Sequence, residues 1–219
     1  MPRQTFFNLP EEKRKAILET AIDEFSKYDY QSTSISRMVA RLGIAKGSFY
    51  QYFEDKQDLY FYVLEQAMRE RLAFAAQYSL TKGRSGFFEN VRDLLESGLR
   101  YDLSHPRNGK IIYRAMFGKG PFREKSLDYL RAPLLEYQRQ VLRNGMKAGA
   151  IAPDIDLDLA AHILNAVMAD FGSYIVNNLG LDPERLLQGA YTESELDALR
   201  TTLTHAVRIL QYGIGQHGE

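Results

Sequence analysis

The chain has 219 residues, equal numbers of basic and acidic residues (28 of each) and no cysteine. An apolar share of 45% is enough to build a core, and the missing thiols exclude a disulfide scaffold, a cysteine nucleophile and a cysteine-ligated metal site. No apolar stretch is long enough for a signal peptide or a membrane span, which favours a soluble, cytoplasmic protein with no membrane partner.

Apolar residues recur at helical spacing through nearly the whole chain, so the pattern predicts an all-α fold. A first helix is predicted from about residue 10 to 27, and a second helix begins after Ser34 as its N-cap and ends at Gly43. A third, short helix follows over about 45–51, and a fourth begins near Asp55. Later helices are predicted near 86–104, 108–117, 124–148, 157–179 and 193–213.

The second and third helices, joined by Gly43-Ile44 and supported by the first, describe a helix-turn-helix unit over about residues 34–53. Phe49 and Phe53 lie four residues apart and are predicted to face the core. The other side of the third helix is then free to contact a partner.

Three residues with unlike side chains share that outer side. At about 100° per residue, Lys46, Gly47 and Tyr50 lie on an arc away from Phe49. A cation, a bare backbone and a phenol suit the major groove of DNA. Residues 31–53 also contain three basic residues and no acid, which is consistent with a merely solvated surface or, as the more specific alternative, with a polyanionic partner.

The string Leu42-Gly43-Ile44-Ala45-Lys46-Gly47-Ser48-Phe49-Tyr50-Gln51-Tyr52-Phe53 resembles the N-terminal domain of tetracycline-repressor (TetR) family regulators. Thr33-Ser34-Ile35 before it, and Asp55-Lys56 and Leu59 after it, strengthen the resemblance. It implies an N-terminal three-helix DNA-binding domain at 10–56 and a larger helical ligand-binding and dimerisation domain at 57–219. It also implies a homodimeric repressor that a small-molecule ligand releases from its operator.

The resemblance implies two sets of DNA contacts. One set belongs to the recognition helix and the phosphates beyond it, and the other to the start of the preceding helix. The implied DNA-binding residues are Thr33, Ser34, Ser36, Arg37, Lys46, Gly47, Ser48, Tyr50, Tyr52 and Lys56.

The C-terminal two thirds of the chain carry long apolar helices and many aromatic residues. The last helix carries the apolar stripe Leu196, Leu199, Leu203, Ala206, Val207, Leu210 and Ile214, which can pack within its own chain or against a second copy. The resemblance favours the second use, so we expect the last two helices to form the dimer interface. The resemblance implies a pocket for a largely apolar effector among the middle helices. The aromatic residues there can line such a pocket or form an ordinary core, and the isolated charges can hold a polar group of the effector or simply pair with neighbours. The candidate ligand-binding residues are Tyr113, Phe117, Tyr137, Asp170, Phe171 and Tyr174.

Enzymatic function is not predicted. The four histidines lack metal-ligand spacing, and a G-x-G-x-x-G string at Gly213, Gly215 and Gly218 has no strand before it and no helix after it. No catalytic residue, metal site or cofactor is therefore proposed. The residues leave three alternatives open: a sequence-tolerant DNA-binding protein without a ligand, a transcriptional activator of the same fold, and a helical interaction or enzyme module.

Overall fold

A computed structural model describes residues 1–82, 87–117, 121–180, 185 and 192–213, and within these ranges the regular structure is helical, with no strand. The prediction of an all-α fold is thus confirmed. No helix in this described portion is long and apolar enough to cross a membrane. The helices are α1 Gln4–Phe7, α2 Glu11–Lys27, α3 Ile35–Leu42, α4 Lys46–Tyr52, α5 Lys56–Lys82, α6 Phe87–Ser104, α7 Pro106–Phe117, α8 Arg123–Lys147, α9 Leu157–Leu179 and α10 Glu193–Tyr212.

Local signals in the sequence set several helix ends. The Ser34 side chain accepts a hydrogen bond from the backbone N–H of Arg37, as expected of an N-cap. Gly43 ends α3 with φ 65°, a left-handed conformation that favours glycine. Thr192 and Glu195 form the predicted capping box at the start of α10. These ends agree with the predicted ones to within a residue or two.

One helix was not predicted. The four-residue helix α1 is too short to show a helical period, and its Phe6 is nevertheless buried. The helix predicted near 124–148 is present as α8 with Pro133 inside it, where a ring without an N–H group interrupts the backbone hydrogen bonds. The helix α1 depends on tertiary packing rather than on local sequence preference.

The chain divides into two compact units. The first contains Met1–Glu70 and His105–Leu130, and the second contains Arg71–Ser104 and Arg131–Glu219. The chain therefore passes from one unit to the other three times: within α5, between α6 and α7, and within α8. The boundary predicted between residues 56 and 57 falls inside the first unit, and a domain division at that point remains a prediction.

The first unit is built around α2, which packs against both α3 and α7. Arg114 of α7 donates to the carbonyl oxygens of Phe25, Ser26 and Tyr28 at distances of 3.4, 3.1 and 3.2 Å. These carbonyls lie at the C-terminal end of α2, where a helix leaves its acceptors unpaired and carries partial negative charge. A cation from α7 thus caps the helix that supports α3.

In the second unit, α10 packs against α6 and α9. One apolar cluster joins α6, α8, α9 and α10 through residues such as Val91, Leu142, Leu164 and Val207. A second cluster surrounds Leu199 and Leu203 with partly buried apolar residues of α6 and α9. The second unit therefore has an apolar core of its own.

Candidate nucleic-acid interface

The turn between α3 and α4 fixes the direction in which α4 leaves. The backbone N–H groups of Gly43 and Ile44 donate to the carbonyls of Ala40 and Val39 at 3.2 and 3.1 Å, which closes the last turn of α3. Two residues later α4 begins at Lys46, and it packs against α3. The arrangement is the predicted helix-turn-helix.

The inner face of α4 is apolar and buried. Phe49 and Phe53 are almost completely shielded from solvent, and their rings stack with centroids 5.5 Å apart. Met38 from α3 and Leu59 from α5 line the same small apolar space. The packing holds α4 between α3 and α5, which leaves its opposite face available.

The outer face of α4 carries the three residues that the sequence analysis placed there. Lys46, Gly47 and Tyr50 are all exposed, and Tyr50 has 43% of its surface open to solvent. A Cβ atom built on Gly47 would meet nothing within 4 Å, so the glycine is not required by packing in the free protein. An ammonium group, an open stretch of backbone and a phenol ring therefore share one accessible surface.

The two arginines of α3 are engaged by acids of α2. Arg37 pairs with Glu24 at 2.6 Å, and Arg41 pairs with Asp23 at 2.7 Å. Hydrogen bonds from Lys27 and Arg41 hold the pKa of the Asp23 carboxyl below its ordinary value. Of the three basic residues counted in 31–53, Lys46 alone has no acidic partner among the residues that the structure describes.

Lys56 and Thr33 point into the protein. The Lys56 ammonium group donates to the carbonyls of Tyr30, Gln31 and Thr33 at 2.7, 3.3 and 2.9 Å, and burial lowers the pKa of this lysine. Thr33 is buried, and its hydroxyl donates to the carbonyl of Asp29 at 2.8 Å. These two predicted DNA contacts therefore shape the loop before α3 in the free protein.

The remaining predicted contacts are placed differently from one another. Ser36 is exposed on α3, while Ser34 is half-buried and acts as the N-cap. Ser48 is half-buried on α4, and the half-buried Tyr52 lines the apolar space beside Leu42. Ser36 is therefore the most accessible of these four side chains.

The sequence analysis missed the acids that pair with the α3 arginines. Glu24 is buried, accepts a hydrogen bond from the backbone N–H of Ser34 at 3.0 Å and also accepts from Arg37. A usable signal existed, because Glu24 continues the apolar stripe of Ile17 and Ala21 at helical spacing. A carboxylate on a buried face requires a partner.

The candidate ligand-binding residues are divided between the two units. Tyr113 lies on α7 in the first unit, while Tyr137, Phe171 and Tyr174 lie in the second. Burial raises the pKa of Tyr137, Phe171 packs beside the Leu199–Leu203 cluster, and Tyr174 is exposed. The side chains of Phe117 and Asp170 lie outside the described part of the structure.

The predicted interface stripe on α10 needs a correction. Leu199, Leu203 and Val207 are buried against helices of their own chain, so they are core residues rather than a free surface. Among the side chains that the structure describes on α9 and α10, the large apolar ones that are exposed are Leu159, Ile163, Tyr174, Ile209 and Tyr212.

Comparison with known proteins identifies relatives over the whole chain. A TetR family transcriptional regulator from Chloroflexus aurantiacus J-10-FL is 35% identical, with 97% of this chain and 98% of that one covered and a TM-score of 0.60. The "Probable acrEF/envCD operon repressor" of Escherichia coli (strain K12) is 26% identical over 182 residues, which cover 77% of this chain and 79% of that protein. FadR from Bacillus subtilis in complex with stearoyl-CoA has a similar fold, with a TM-score of 0.64, 14% identity and coverage of 92% and 99%.

Two family models match separate parts of the sequence. Residues 17–63 match bacterial regulatory proteins of the tetR family, and residues 85–214 match the tetracyclin repressor-like C-terminal domain. The second match alone covers more than half of the chain. The resemblance noted for the recognition helix is thus confirmed, and the chain belongs to the tetR family of bacterial transcriptional regulators, which are not enzymes.

Proposed function

We propose that the protein is a homodimeric repressor that binds operator DNA through α4 and releases it when a small-molecule effector binds. The observation that carries the proposal is the open arc of Lys46, Gly47 and Tyr50 on a helix whose other face is buried. The match to an Escherichia coli protein named as an operon repressor supports repression rather than activation.

The dimensions of α4 suit this role. An α-helix with its side chains is about 10–12 Å across, which matches the major groove of B-DNA at about 12 Å. Lys46 can donate to guanine or phosphate oxygens, and the Tyr50 ring can contact a thymine methyl group while its hydroxyl forms a hydrogen bond. Because Gly47 has no side chain, the backbone of α4 can approach the bases closely.

The second unit offers a surface for dimerisation. Leu159, Ile163 and Tyr174 on α9 are exposed although they are apolar, and Ile209 on α10 is exposed as well. Two copies that pack these faces together would form the isologous interface expected of a symmetric dimer. A symmetric dimer presents two copies of α4 and therefore reads a palindrome whose half-sites lie roughly 34–36 Å apart.

The effector is proposed to be a largely apolar molecule bound among the middle helices. Of the candidate residues, Tyr137 is half-buried and Phe171 is partly buried, as expected near an apolar site. FadR from Bacillus subtilis has the same fold and is named as binding stearoyl-CoA, which makes that compound a reasonable first probe. Release of bound DNA by stearoyl-CoA, measured by fluorescence anisotropy, would support an acyl-CoA effector, and unchanged binding would exclude this compound.

Substitution of Tyr50 tests DNA recognition directly. We expect Tyr50→Ala to weaken binding to a duplex selected by the wild-type protein by roughly tenfold or more, since one good base contact contributes about 1–3 kcal/mol per half-site. Tyr50→Phe separates the contribution of the ring from that of the hydroxyl. Melting followed by circular dichroism should be unchanged in both variants. Wild-type affinity in Tyr50→Ala would contradict the role given to α4.

A further inference from the structure

The N-terminal segment is folded onto the end of the recognition helix. The backbone N–H of Arg3 donates to the carbonyl of Tyr52 at 2.8 Å, and the Thr5 hydroxyl donates to the carbonyl of Gln51. Both acceptors lie in the last turn of α4, which has carbonyl groups without helical partners. Residues 3–5 thus provide donors to the C-terminal end of α4.

Aromatic packing fixes this segment in place. Phe6 is only 1% exposed. The centroid of its ring lies 5.0 Å from the ring centroid of Phe53 and 5.4 Å from that of Tyr62. Ring pairs at these distances add to the stability that burial provides. The segment is therefore a fixed part of the first unit, and the position of Arg3 relative to α4 is set by the fold.

The backbone of Arg3 is used in this contact, but its side chain is not. Arg3 is exposed, and within the described residues neither it nor Lys46 forms an ion pair. Most other cations near α4 are engaged: Arg37 and Arg41 pair with acids, and Lys56 with carbonyl oxygens. The guanidinium group of Arg3 and the ammonium group of Lys46 are thus two cations available to a polyanion.

These two cations lie at opposite ends of α4. Lys46 is its first residue, and Arg3 is bonded to the carbonyl of its last residue, Tyr52, so about 10 Å of helix separates the two positions. Phosphates line both edges of the groove that α4 would enter, so a cation at either end of the helix can contact one. Acidic residues follow α4 at Glu54 and Asp55, so a phosphate approaching that end needs a cation beside it.

We propose that Arg3 is a DNA-backbone contact, which makes residues 1–8 part of the nucleic-acid interface. The inference rests on the proposed function, because it assumes that α4 enters a major groove. It adds a residue that lies outside the segment 17–63 matched by the family. Arg3 would contribute affinity for any DNA sequence, since a phosphate contact carries no base information.

The salt dependence of binding tests the proposal. We compare wild-type protein, Arg3→Gln and Arg3→Lys on a fluorescent duplex selected by the wild-type protein from a random-sequence pool. Losing one phosphate contact lowers the slope of log K against log salt by about 0.9, hence about 1.8 for a dimer. The ratio of wild-type to Arg3→Gln affinity should accordingly shrink by roughly tenfold as salt rises from about 50 to 200 mM. Arg3→Lys should keep the wild-type slope.

Two control variants separate a direct contact from a supporting role. Lys147→Gln removes one exposed positive charge from the second unit and should not change the slope. Phe6→Ala removes the aromatic anchor but keeps Arg3, so this variant should have a lower melting temperature. Arg3→Gln should keep the wild-type melting temperature. An Arg3→Gln variant with the wild-type slope, whether or not its affinity falls, would overturn the proposal and leave the proposed function standing. Wild-type protein that binds no duplex at low salt would overturn both.

Discussion

Two lysines lie on either side of the recognition helix, and their surroundings give them different roles. Lys46 begins α4 with an exposed ammonium group, whereas Lys56 begins α5 and donates to the carbonyls of Tyr30, Gln31 and Thr33. An ammonium group has three protons, so Lys56 has none left for a phosphate while these bonds persist. We therefore expect Lys56 to hold the loop before α3 and Lys46 to bind DNA.

Neutral replacements of the two lysines should separate these roles. Lys56→Gln should lower the free energy of unfolding by about 2 kcal/mol, because three carbonyls of the loop before α3 lose a charged donor, and should leave the salt slope of DNA binding unchanged. Lys46→Gln should leave unfolding unchanged and lower the slope by about 0.9 per protomer. Denaturant titration and anisotropy at several salt concentrations measure the two quantities. If Lys56→Gln lowered the slope and not the stability, the phosphate contact implied by the family resemblance would be correct.

At the residue scale, the sequence was least able to predict which basic residues near α4 are paired with acids. Arg37 and Arg41 counted as a basic stretch because residues 31–53 contain no acid. Their partners Glu24 and Asp23 lie on the preceding helix α2, outside the residues counted. A local count of charge cannot include partners that only the fold brings close. The exposed positions of Lys46, Gly47 and Tyr50 were predictable, since they follow from the period of a single helix.

At the scale of elements, the ends of the helices were predictable because their causes are local. The Ser34 cap, the left-handed Gly43 and the capping box of Thr192 and Glu195 each act within a few residues. The contacts between helices were less predictable. The attachment of α7 to α2 depends on Arg114, which is far from its acceptors in sequence.

The helix α1 was not predictable either, because it too depends on contacts between helices. Four residues carry too little periodicity to predict a helix, and such a short helix is unstable alone. It persists because Phe6 is buried and because Thr5 and the backbone of Arg3 donate to α4. Its existence is therefore a consequence of α4, and its function is tied to that of α4.

At the scale of the whole molecule, α9 has two apolar sides, of which one is buried in its own chain and the other is exposed. Leu164 is 6% exposed and belongs to the core of the second unit, whereas its neighbour Ile163 is 50% exposed. Leu159 and Tyr174 extend the exposed side along the helix. Full burial of an exposed isoleucine or leucine side chain contributes about 1.5–3 kcal/mol, and covering the half that remains open here contributes roughly half of that, so such a surface favours association with a second copy.

A charge at Ile163 tests this dimer surface without disturbing the core. Ile163→Glu should yield a folded monomer, because two carboxylates would lose their water at the symmetric interface without a partner. Light scattering should show half the wild-type mass, while the melting curve keeps its shape. The matched change Leu164→Glu should unfold the second unit instead, and so should Leu203→Glu, since Leu203 is 5% exposed. A folded Ile163→Glu dimer would place the interface elsewhere, and a monomeric wild-type protein would remove the basis for a palindromic operator.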